Sequence, residues 1–213
     1  MSPAESPTPR KAWLLLGAAF AAFTLAASVM HSYTVFLLAF IAEFGWSRAE
    51  TSLAYSLGQM VGGLSSPLVG TAVDRQGTRR MVLLGAALLV LGLVLSSQVM
   101  QLWQMVVLYG VVITLGANCI NILVFVPLLS GLFETRRDMA IAVLQSANAF
   151  GRALSAPIAQ LLVNGVGWRG AYLWQAGAIG LLVLPLAFVF PARRTPARAA
   201  GAALGGRQDW TLK

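Results

Sequence analysis

Six mostly apolar runs of roughly 18 residues or more follow one another along this chain, at residues 12–40, 51–73, 81–100, 103–130, 139–163 and 171–190. A helix needs about 20 apolar residues to cross ~30 Å of hydrocarbon, so each run has the length of a membrane span. Of the 213 residues, 58% are hydrophobic and 10% charged. Soluble domains carry about 25% charged residues, and this chain has too few to cover itself with a water-compatible surface. Collagen-like, disordered and disulfide-scaffold classes fall with the same numbers. The single cysteine, Cys119, lies inside an apolar run without an intrachain partner and reads as a small buried side chain.

Arg10 and Lys11 precede a run containing the small-residue stretch Leu25-Ala26-Ala27, which raises the question of a signal peptide. Apolar character continues more than ten residues past that point, whereas a signal core is about 7 to 15 residues long, so the first run reads as an uncleaved helix. Lys and Arg resist translocation and mark the cytoplasmic side. With the N-terminus inside, Arg10, Lys11, Arg75, Arg79, Arg80, Arg136, Arg137, Arg193, Arg194, Arg198, Arg207 and Lys213 are cytoplasmic, and only Arg48 and Arg169 are external. Both termini are therefore expected inside, at a cytoplasmic (plasma) membrane. Residues 1–11 form an N-terminal tail, 12–190 a six-helix bundle, and 191–213 a basic cytoplasmic tail. The net charge of +8 reflects this topology, and no nucleic-acid partner is expected.

A shift of ninety residues lays the second run on the fifth. Leu64-Ser65-Ser66-Pro67 meets Leu154-Ser155-Ala156-Pro157, Ser56 meets Ser146, Gly77 meets Gly167 and Arg79 meets Arg169. This register makes the chain two three-helix units, inverted relative to the membrane. Such repeats are built into secondary transporters, whose sites lie near the midplane between them.

Polar groups in hydrocarbon are costly and normally face a cavity or another helix. In the fifth run Gln145, Asn148, Arg152 and Ser155 fall within about 80° of helical arc. Thr114, Asn118 and Asn121 share a face of the fourth run, and Ser52, Tyr55, Gln59, Gly62 and Ser66 a face of the second. The first carries Thr24, Ser28 and His31. The third and sixth runs are nearly without polar residues, so a central aqueous path lined by the first, second, fourth and fifth runs is expected. Arg152 stands out, because a guanidinium near mid-span costs at least ~2.5 kcal/mol and no acidic residue lies well within a span. It serves either an anionic substrate, whose carboxylate its planar fork fits, or a structural network of backbone carbonyls, Asn and Gln. His31 is a hydrogen-bond donor, a proton relay or a packed histidine. Asn118 and Asn121 serve the cavity or the helix contacts.

With one histidine and every carboxylate at a span end, no metal cluster, triad or paired-acid site is available, so neither an enzyme nor a cofactor or metal is expected. Glu43, Glu50, Asp74, Glu134 and Asp138 take solvated or capping roles in this reading.

The stretch from Gly70 through Asp74-Arg75 and Gly77 to Arg79-Arg80, between the second and third runs, resembles the signature loop of the major facilitator superfamily, with Thr78 at a position commonly basic. More narrowly, His31-Ser32-Tyr33-Thr34-Val35-Phe36, Glu43-Phe44-Gly45-Trp46-Ser47-Arg48 and Gly167-Trp168-Arg169-Gly170-Ala171-Tyr172 are similar to the branch of monocarboxylate porters and oxalate/formate antiporters. The resemblance implies an all-α integral membrane fold, half of a twelve-helix facilitator. It implies transport of small organic anions by symport with a proton or by exchange and a gating role for the 70–80 stretch, which agrees with the substrate site that the polar faces place among Arg152, His31, Asn118, Asn121, Gln145, Asn148, Tyr55 and Gln59. It also implies that this chain corresponds to an N-terminal half or fragment, its basic tail resembling the central loop between halves. The partner is then a second six-helix half or another copy of itself. The competing expectation is a six-helix membrane interaction or assembly subunit without transport of its own.

Overall fold

The computed structural model describes residues 9–133 and 136–191, and the regular elements among them are all helical. Helix α1 is Pro9–Phe44, α2 Arg48–Gln76 and α3 Thr78–Ser96. Helix α4, Leu102–Val107, continues through a π-helical turn, Leu108–Ile113, into α5, Thr114–Asn118; a turn then leads to α6, Ile122–Leu132. Helix α7, Arg137–Ala178, passes through a second π-helical turn, Ile179–Val183, into α8, Leu184–Val189. Helix α1 begins at Pro9, three residues before the first apolar run. Residues 192–213 of the expected basic tail, and Glu134, lie outside the described residues.

The helix boundaries have local causes. Gly45, at φ 67°, ends α1 in a conformation that costs a residue with a Cβ about 1–2 kcal/mol. Ser47 then opens α2 with a capping box: its hydroxyl accepts from the Glu50 amide at 3.2 Å, and its own amide donates to the Glu50 carboxylate at 2.8 Å. Those bonds hold the Glu50 carboxyl below the usual carboxylate range. The expected gating loop is scarcely a loop. Gly70, Asp74 and Arg75 belong to α2, Arg79 and Arg80 to α3, and Gly77 alone separates them. Its amide donates to the Val73 carbonyl at 2.8 Å, and its φ 84°, ψ 160° are essentially confined to glycine. Gly167, ninety residues on, breaks α7 with nearly the same pair, φ 72°, ψ 169°. Thr78, which departs from the basic residue expected there, is buried and donates to the Val124 carbonyl at 3.2 Å, tying α3 to α6.

By length and apolar character four stretches qualify as membrane spans, Arg10–Phe44, Thr78–Ser96, Leu102–Leu132 and Arg137–Val189. The difference from six has two sources. Helix α2 has the length, 29 residues, but its polar face lowers its apolar character. The fifth and sixth runs are joined in one 53-residue helical stretch that contains the Gly167 break. The fourth run is interrupted after Asn118, where Asn121 caps α6 by accepting from the Leu123 amide at 2.9 Å.

Small residues bring the helices together. A Cβ on Gly151 of α7 would stand 2.5 Å from the Thr24 carbonyl oxygen of α1, and one on Gly85 of α3 2.6 Å from the Gly116 carbonyl oxygen of α5. At the C-terminal end of α1, Glu43 pairs with Arg169 and accepts from the Trp168 indole just past the α7 break. Phe40, Phe44 and Tyr172 pack around Trp168, Trp46 stacks on Phe44, and the Arg169 guanidinium lies 4.2 Å from the Trp168 indole ring. Glu43 is therefore part of a clasp, which corrects the expectation of a merely solvated or capping residue.

Candidate functional site

Between α1, α2, α5 and α7 lies a cleft of about 310 Å³. Its α1 wall presents Phe23, Ala26, Ala27, Met30 and His31, and its α2 wall presents Tyr55, Gly58, Gln59, Gly62, Gly63 and Ser66. Thr114, Ala117, Asn118 and Asn121 close it from the fourth run, and Asn148 and Arg152 from α7. None of the described lining residues comes from α3 or α8. Those elements and the turn before α8 instead expose Leu84, Leu91, Leu95, Leu181 and Phe188.

The wall has this composition because each contributing helix turns its polar stripe inward, and glycines let the helices approach. A Cβ on Gly58 would come within 2.8 Å of the Thr114 hydroxyl, so a larger residue there would push α2 from α5. Arg152 reaches across from α7, and its Nε donates to His31 Nε2 on α1 at 3.3 Å. Imidazole nitrogen accepts only when unprotonated, so in this arrangement the ring proton of His31 sits on Nδ1. Asn148, one turn before Arg152, lines the same cleft. No carboxylate meets Arg152 among the described residues, where the one ion pair joins Arg169 to Glu43. The chain thus holds a guanidinium, two Nη groups of which have no carboxylate partner, against a neutral acceptor in a polar cleft.

The two asparagines are differently engaged. Asn118 donates to the Gly62 carbonyl at 2.9 Å and to the Ser65 hydroxyl at 2.7 Å, and accepts from Asn121 at 2.6 Å. Asn121 spends its own oxygen on capping α6. Both line the cleft, yet their hydrogen-bonding capacity goes largely into locking the interrupted fourth run to α2. Gln59 donates to the Tyr55 hydroxyl at 2.8 Å, forming a polar ledge on the α2 side. Gln145 departs from the expected grouping: it is exposed on α7 and is not among the residues lining the cleft.

The 70–80 stretch stands apart from this cleft. Asp74, Arg75 and Arg80 are exposed, Gly77 is buried, and the Arg79 guanidinium lies 4.6 Å from the Phe188 ring centroid near the end of α8. Sequence reasoning missed the Glu43–Trp168–Arg169 clasp, although both of its segments had been singled out. No spacing rule links positions 125 residues apart, and only the unusual placement of an acid at a helix C-terminus, against the helix dipole, hinted at a cationic neighbour.

A helical bundle with membrane-length apolar stretches around an internal polar cleft is the architecture of a membrane carrier class. The major facilitator superfamily model matches residues 9–212, and the chain belongs to that family. Among curated proteins it is 30% identical over 223 residues to mouse "Monocarboxylate transporter 11", covering 99% of this chain and 49% of the relative. It is 32% identical over 225 residues to the human protein of the same name, covering 99% and 46%. It is also 25% identical over 189 residues to "Uncharacterized MFS-type transporter YcxA" of Bacillus subtilis strain 168, covering 89% and 46%. The chain spans about half the length of these curated relatives.

Proposed function

We propose that this chain is the substrate-binding half of a secondary active transporter for small organic anions such as monocarboxylates, working by alternating access in the cytoplasmic membrane with both termini inside. The single observation that carries the reading is Arg152, set in the polar cleft with a neutral histidine instead of a carboxylate beside it. A substrate carboxylate supplies the missing negative charge, accepting from the two Nη groups in the fork geometry that favours arginine. His31 orients the guanidinium and is placed to accept a coupled proton when the anion arrives. The names of the relatives support the substrate class.

Six spans arranged as two inverted three-helix repeats account for the helices in this reading. A 53-residue helical stretch is more than twice the ~20 residues one span needs, and Gly167 divides it. The matching backbone conformations of Gly77 and Gly167 support the repeat. The polar character of α2 follows from its place on the cleft wall. Met60, Leu64 and Leu68 on α2 and Phe150, Leu154 and Ile158 on α7 are exposed apolar residues that flank the cleft, each ninety residues from its counterpart. A facing six-helix bundle, a second half or another copy of this chain, covers them and completes the cavity, while the 70–80 stretch serves the inward gate.

The reading is tested by thermal unfolding of the purified protein in nanodiscs with small mono- and dicarboxylates, alone and with a facing bundle co-expressed. A bound monocarboxylate at about a hundred times its dissociation constant stabilises by about 2.7 kcal/mol. That shift is expected with the facing bundle present, absent in Arg152→Gln and reduced in Arg152→Lys, which keeps the charge but loses the fork. Equal stabilisation of the wild type and Arg152→Gln would contradict the carboxylate role.

A further inference from the structure

We propose that Tyr109 is a positioning residue for the His31–Arg152 pair; its functional meaning rests on the anion-site reading above, its geometry does not. Tyr109 sits in the π-helical turn of the fourth run and is almost wholly buried, at 1% exposure. Its hydroxyl donates at 2.7 Å to the carbonyl of Met30, the residue immediately before His31 and itself a lining residue of the cleft.

The wide turn that delivers this phenol is stapled. The Tyr109 carbonyl accepts both the amide and, at 2.9 Å, the hydroxyl of Thr114, five residues on. π-Helical turns insert an extra residue into a helix and are frequent at functional sites, because they re-aim a side chain without ending the helix. On α1 the Met30 carbonyl stands between two others that also take side-chain donors: Ser32 Oγ donates to Val29 at 2.8 Å and Thr34 Oγ1 to His31 at 3.3 Å. Hydroxyls that bond back to helix carbonyls bend helices. Three successive carbonyls are thus drawn out of simple ladder bonding just where the imidazole projects. Of the three donors only Tyr109 comes from another span, so it fixes the backbone at His31 relative to the fourth run.

Tyr33 provides the control. It lies against Tyr109, ring centroids 4.0 Å apart, and is as deeply buried, but its hydroxyl donates at 2.7 Å to the Thr51 carbonyl on α2, away from His31. The chain has a single histidine, so imidazole 15N labelling of the 213-residue chain in nanodiscs reports on His31 alone. The wild type is expected to show one tautomer, protonated at Nδ1. Tyr109→Phe is expected to lose that single population and shift the imidazole resonances, while Tyr33→Phe leaves them in place. Unchanged resonances in Tyr109→Phe, or an equal shift in Tyr33→Phe, would overturn the proposal. Should Tyr109→Phe fail to fold, a carbonyl-13C Met30 and amide-15N His31 label in the unaltered chain reads the bond directly. A Met30 carbonyl shift typical of a singly bonded helix carbonyl would equally overturn it. None of these measurements involves a substrate, so a failure of anion binding and a failure of this inference are separately visible.

Discussion

Asn118 shows how one side chain serves the cleft by holding its wall. Both of its amide protons go to α2, and its oxygen receives Asn121, so its polarity is spent on structure even though the residue faces the cavity. Interhelical hydrogen bonds in membranes average about 0.6 kcal/mol and reach about 1.7. Asn118→Ala removes two such donors and is expected to lower unfolding stability in detergent by about 1–2 kcal/mol, without the loss of anion stabilisation expected of Arg152→Gln. The chemistry of Arg152 was legible from its sequence: a cation at mid-run with no acid nearby demands a partner. Its actual partner was not, because nothing in a helical wheel of the fifth run says that His31, 121 positions earlier, faces it across the cleft. Gln145 illustrates the converse limit, since sharing an arc with Asn148 and Arg152 did not bring it to the same cavity.

At the scale of the helix, glycines decide both approach and direction, by different physics. Gly151 has an ordinary helical backbone but no room: a Cβ would press on the Thr24 carbonyl, the Ala27 side chain and the Ser28 amide of α1. Gly167 has open space around it but a backbone conformation that residues with a Cβ avoid. Gly151→Ala is expected to cost about 1–3 kcal/mol through overpacking, and Gly167→Ala a similar 1–3 kcal/mol through backbone strain. The two are separable by Ala27→Gly, which removes a side chain facing position 151 and is expected to recover part of the first loss and none of the second in thermal unfolding. The ninety-residue register was read from prolines, glycines and serines, and it reaches further than those identities. His31 and Asn121, Ser28 and Asn118, and Thr24 and Thr114 also stand ninety apart. Of these six, His31, Asn121, Asn118 and Thr114 line the cleft. Only the threonine pair is an identity, and the unlike side chains of the other two pairs carry no signal in a residue-by-residue match. The interruption of the fourth run at Asn118 was likewise hidden, since apolar residues continue on both sides and the break follows from Asn121 capping α6 rather than from any Gly or Pro.

For the whole molecule, the central claim is that the first, second, fourth and fifth runs enclose a water-accessible cleft, with α3 and α8 set against lipid. The chain's one cysteine, Cys119, is buried, so a Cys119→Ser background permits single reporters. The most direct measurement is the rate at which a charged, membrane-impermeant thiol reagent modifies Arg152→Cys, Asn148→Cys and Gln59→Cys, compared with Leu84→Cys and Leu181→Cys. Thiols react as thiolates, which form in water and not among acyl chains. The account predicts ready modification at 152, 148 and 59 and little or none at 84 and 181. A position 152 as unreactive as position 181, or ready labelling at 84, would contradict it.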